Sequence, residues 1–95
     1  MMDRLQGLVF SFYREALVMT KALYPLVFCR MRRSMGDIEV ECINSSHMAK
    51  VISLGKYLKP PIALLNLGRK IVFHSPDIPG LNYSIPIELD KNLYI

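Results

Sequence analysis

Few side chains in this 95-residue chain could do chemistry: Cys29, Cys42, His47, His74 and the pair Glu39 and Glu41. A thiol attacks or ligates only as its thiolate, so a reactive cysteine needs a neighbour that favours the charge. Cys29 and Cys42 lack the Cys-x-x-Cys spacing. They read as free, buried thiols of a reducing cytosol, and as a redox pair only if the fold sets both on one layer. His47 and His74 stand at no metal-motif spacing from a cysteine or carboxylate, so neither a metal nor any other cofactor is expected. Glu39 and Glu41 share a strand face, but a catalytic acid and base need burial to separate their pKa values, and alternating glutamates read instead as a solvated surface. Gly55 and Gly68 stand alone, with no phosphate-cradling loop and no Gly-x-Ser-x-Gly elbow around them. This inventory favours a binding protein over an enzyme.

Composition points the same way. Hydrophobic residues make up 52% of the chain and the mean hydropathy is +0.24, high for a domain with so little interior volume. Some of that apolar surface is expected to meet a protein partner or a second copy of the chain. The net charge is +4 with a pI near 9.3, and the one tight basic cluster is Arg30, Arg32 and Arg33. Without a stripe of interleaved aromatics, that cluster reads as a solvated helix end; the alternative is a small nucleic-acid binder using these arginines with Lys56, Lys59, Arg69 and Lys70. Met1 to Gln6 lacks a basic run, and Arg14-Glu15 interrupts the apolar segment behind it, so no signal peptide is expected. The apolar stretch Ala22 to Cys29 is too short to span a bilayer, and a cytoplasmic protein without membrane contact is expected.

The elements that must position these groups follow from the hydrophobic pattern. A single domain over 1–95 is expected, with a core at about 7–74 and a loop and edge strand over 75–95. Leu8 to Tyr13, aromatic and β-branched, reads as an interior strand. A helix is predicted over about Ala16 to Arg33, kinked at Pro25 and ended by Ser34-Met35-Gly36-Asp37, with Gly36 left-handed. Ile38 to Ile43 alternates as a strand with one wet face or a sheet edge. Asn44-Ser45-Ser46 offers N-caps for a helix to about Leu54, with Met48, Val51 and Ile52 inward and Gly55 capping its C-terminus. Lys59-Pro60-Pro61 is read as extended, Ile62 to Leu65 as a second interior strand, and Lys70 to His74 as its antiparallel return after a tight turn at Asn66 to Arg69. Leu81 to Leu89 alternates as a strand that Pro86 confines to an edge.

This β-α-β-α-β-β order, with an extra C-terminal strand in place of the last helix, resembles the thioredoxin-like superfamily. The carriers are the strand ending at Phe12-Tyr13, Leu17-Val18-Met19-Thr20 in the place of Cys-x-x-Cys, Lys21 and Pro25 behind it, Ile38 to Asn44, Pro61 before Ile62 to Leu65, and the Asn66-Leu67-Gly68 turn. The resemblance implies a mixed α/β fold, a cis peptide at Pro61, and the strand at Ile38 to Asn44 at a sheet edge. Leu17 and Thr20 can neither attack a disulfide nor resolve one, so it further implies a redox-inactive protein-interaction module or complex subunit, self-associating. Its docking surface would be Leu17, Val18, Met19, Thr20, Pro60 and Pro61. The rival functions are a thiol enzyme or sensor using Cys29 and Cys42, and the nucleic-acid binder above.

Overall fold

A computed structural model describes residues 3–16 and 21–87. Helix α1 (Arg4–Phe12) comes first, and a short 3-10 helix (Tyr24–Phe28) leads into strand β1 (Arg30–Ser34) and strand β2 (Asp37–Glu41). Two helices in series, α2 (Ser45–Ser53) and α3 (Gly55–Leu64), cross over to β3 (Lys70–His74), and β4 (Tyr83–Pro86) closes the order. The sheet runs β1-β2-β3-β4: the outer pairs are antiparallel, while β2 and β3 are parallel, which the α2–α3 crossover between them permits. The protein is thus a mixed α/β domain, with helices against one face of a four-stranded sheet.

Each strand turns alternate residues to that covered face. Met31, Ile38, Val40, Ile71 and Phe73 meet Leu5 and Val9 of α1, Met48 and Val51 of α2, and Leu58 and Ile62 of α3 in one core. The other face is open and polar, and the register sets Arg32 opposite Glu39, with their charged groups 2.7 Å apart.

Several sequence expectations are corrected. Leu8 to Phe12 is helix with Tyr13 its C-cap, because Asp3 and Gln6 form a capping box that starts α1 ahead of it: the Asp3 side chain takes the Gln6 amide at 2.9 Å and the Gln6 side chain takes the Asp3 amide at 2.8 Å. Pro25 starts a 3-10 helix rather than kinking a long α-helix, and Arg30 to Ser34 is strand, its arginines on a sheet rather than a helix end. Met35 and Gly36 both take positive φ, 53° and 85°, as a two-residue hairpin turn between right-twisted strands requires. Gly36 is therefore left-handed as expected, but in a hairpin. Ile62 to Leu65 belongs to α3 and its C-cap, Pro60 and Pro61 lie inside that helix, and all peptide bonds of the described residues are trans. With no strand at 62–65, β3 pairs in parallel with β2, which makes β2 an interior strand and its glutamates part of the open face.

Other expectations agree with the structure. Asn44 caps α2 by accepting the His47 amide at 2.9 Å, and Met48 and Val51 point inward, but Leu54 rather than Gly55 is the C-cap, and Gly55 opens α3. β4 is an edge strand bearing Pro86; residues 88 and 89 of the expected strand lie outside the described residues. Asn66, at φ 52°, ends α3: its amide returns to the Ala63 carbonyl and that of Leu67 to the Ile62 carbonyl, a Schellman close. Gly68 then passes so near β2 that an added Cβ would lie 2.9 Å from Ile38 Cγ1.

Candidate functional site

Three elements converge on one spot beneath the 3-10 helix. Cys29 is the residue that ends that helix, Cys42 follows β2, and His47 lies in the first turn of α2. Their ligating atoms, the two Sγ and a ring nitrogen, all lie within 4.8 Å of one another. Both cysteines are buried and His47 is half-buried. The fold therefore sets the two thiols together, the condition on which a functional pairing depends, and adds a histidine that motif spacing did not suggest. The signal that could have found it is local: with Asn44 as N-cap, the first turn of α2 folds His47 back toward the end of β2.

The histidine's hydrogen bonds define its state. The Ile43 amide donates to Nδ1 at 3.0 Å, so Nδ1 presents a lone pair, and Nε2 lies 2.7 Å from the Pro25 carbonyl oxygen, to which it donates. Imidazole with one donor and one acceptor nitrogen is neutral. The thiols are held loosely: Cys29 Sγ is 3.8 Å from the Pro25 carbonyl and Cys42 Sγ is 4.0 Å from that of Val40. The neighbouring Cys42 thiol, with burial behind it, pushes the Cys29 thiol up. The same neighbour relation pulls Cys42 down against the opposing effect of burial.

A rim of exposed apolar residues borders this spot. Tyr24 and Phe28 meet edge to face with centroids 5.4 Å apart, and the Phe28 ring stands 6.2 Å from that of His47. Val27 and Ile43 are exposed as well.

The other expected site residues lie elsewhere. Leu17, Val18, Met19 and Thr20 fall outside the described residues. Pro60 is exposed on α3, whereas Pro61 is buried within it and offers no strand-like backbone to an extended peptide. His74 ends β3 on the open face, where it lines a small hollow with Arg30, Arg32, Glu39 and Glu41. The basic residues are dispersed: Lys56 and Lys59 ride on α3, and Arg69 and Lys70 reach Asp37 at 3.5 and 4.0 Å. Among the described residues no helix is long and apolar enough to cross a membrane.

No family model, curated protein or solved structure matches the chain.

Proposed function

We propose that this chain is a protein-interaction module that pairs with a second copy of itself through the apolar rim of the 3-10 helix. One observation carries the reading: Tyr24 and Phe28 pack edge to face while standing 60% and 49% exposed, although Leu23 and Leu26 of the same segment are buried in the core. With Val27 and Ile43 also exposed the rim is apolar, so it suits a like surface, and a two-fold pairing sets it against itself. The reading does not lean on a thioredoxin-like origin; of the segments that carried that resemblance, β2 keeps the strand conformation expected of it.

Size-exclusion chromatography with light scattering tests the proposal. A dimer at high micromolar concentration that Phe28→Glu converts to a folded monomer is the expected result. A wild-type chain that stays monomeric throughout that range overturns it.

A second reading, a thiol-dependent redox protein or sensor, is favoured by the meeting of Cys29 and Cys42 beside His47. Mass spectrometry after mild oxidation separates the two: an intramolecular disulfide, formed by loss of two protons and two electrons to the added oxidant, supports it, and two inert thiols dispose of it.

A further inference from the structure

We propose that Cys29, Cys42 and His47 are the protein ligands of a single zinc-class divalent cation, with one coordination position left for water or an incoming donor. Two thiolates and an imidazole are the donor types that such a cation selects. Thiolate and imidazole bonds of about 2.3 and 2.0 Å put tetrahedral donors roughly 3.3–3.8 Å apart. The three donors already lie within 4.8 Å of one another, so small side-chain rotations close the site.

The hydrogen bonds identify the ring nitrogen. If the metal takes the Nδ1 lone pair, Nε2–H keeps its 2.7 Å bond to the Pro25 carbonyl, the kind of outer contact that fixes a ligating imidazole. The Ile43 amide gives up its acceptor, but Ile43 is exposed and water can replace it. Ligation through Nε2 would instead break the Pro25 contact and force a proton onto Nδ1, against the Ile43 N–H. The sulfurs lose little on binding, because their present contacts, at 3.8 and 4.0 Å, are weak.

Charge balance explains how a buried spot tolerates the ion. Loading breaks two S–H bonds, forms two metal–sulfur bonds and one metal–nitrogen bond, and releases two protons to the buffer. A doubly charged cation with two thiolates and a neutral imidazole has no net charge, so no further counter-ion need be buried. Among the described residues no fourth Cys, His, Asp or Glu joins the trio, and three protein ligands leave an open position. The assignment is independent of self-association, since the ligands come from one copy.

Cobalt(II) titration of the reduced, chelator-treated protein tests the site. The expected result is one equivalent bound, with a sulfur-to-cobalt charge-transfer band, tetrahedral visible bands that zinc bleaches, and two protons released per ion. His47→Gln and Cys42→Ser should each weaken binding by at least the roughly 10- to 100-fold that loss of an orienting partner brings. His74→Gln should leave it unchanged, and circular dichroism establishes that each variant is folded. Absence of the charge-transfer band, binding that survives Cys42→Ser in a folded variant, or uptake of copper(I) but neither cobalt nor zinc would overturn the assignment.

Discussion

The Tyr13 hydroxyl donates to the Tyr57 backbone carbonyl at 2.5 Å, and Tyr57 lies one helical step before Pro61. That carbonyl would ordinarily accept the amide four residues on, which proline lacks. A side chain from the end of α1 thus supplies the donor missing from α3, and the helix runs through both prolines.

Tyr13→Phe is expected to cost about 1–2 kcal/mol in urea denaturation, because it strands a carbonyl that only this hydroxyl serves. Restoring the amide with Pro61→Ala should shrink that cost, giving a coupling of about 1 kcal/mol in a double-mutant cycle. Burial first, and the neighbouring Tyr57 second, raise the pKa of Tyr13. The folded state therefore holds this proton more tightly than the unfolded state, so its contribution is complete below the ordinary tyrosine pKa of about 10 and is lost as pH rises past it. The wild-type protein should lose stability in that alkaline window more steeply than Tyr13→Phe. Equal slopes would exclude the effect.

Gln6 is 2% exposed and does two jobs. Its side-chain oxygen closes the capping box, and its amide group donates to the carbonyls of Leu26 and Cys29. Gln6→Leu fills the space but leaves those carbonyls without a donor, and chemical denaturation should show a loss of about 2–3 kcal/mol. Gln6→Glu should be no better, because an ionised carboxylate has no proton to donate.

Met35 is 92% exposed and sits at φ 53° in the β1–β2 turn, a conformation that asparagine tolerates better. Met35→Asn should therefore stabilise the fold by about 0.5–1 kcal/mol, a rise of roughly 2–8 °C in Tm for a domain of this size. A lower Tm would mean that the exposed methionine contributes something the turn geometry does not show.

Asp77 accepts the Ser45 amide at the start of α2 and the Ser75 hydroxyl at 2.7 Å. The backbone bond from Ser45 first, then the hydroxyl, hold its carboxyl below the usual carboxylate range. A folded pKa below the unfolded one gives stability that is present above the unfolded value and lost as pH falls through the folded one. Asp77→Asn should flatten the acid limb of the stability profile, measured as Tm between about pH 5 and pH 2.

What the sequence disclosed followed the strength of each local signal. Asn44 before α2, the alternation of β2, the left-handed backbone of Gly36 and Pro86 on an edge were legible because residues within each short stretch impose it. Leu8 to Tyr13 misled because its composition suits a strand, while the Asp3–Gln6 box that overrides it lies just ahead. Pro60 and Pro61 misled for a different reason: the carbonyl of Tyr57, which Pro61 leaves without an amide, is served by Tyr13, too distant in sequence for local rules to see. The strand at Arg30 to Ser34, which sends only Met31 into the core, was hidden by apolar residues before it that also fit a helical stripe. Of the candidate site, the cysteines were legible as residues, but their meeting with His47 depends on how the 3-10 helix and α2 are placed against β2.

One terminal contact also bears on what the chain avoids. The Asp3 carboxylate accepts the outward Met31 amide of β1 at 2.7 Å, and at the opposite margin of the sheet Pro86 has no amide to offer. Both flanks are thus poor templates for recruiting further copies strand by strand. Association that stops at a defined number of subunits, rather than growing into fibrils, is the behaviour this architecture permits.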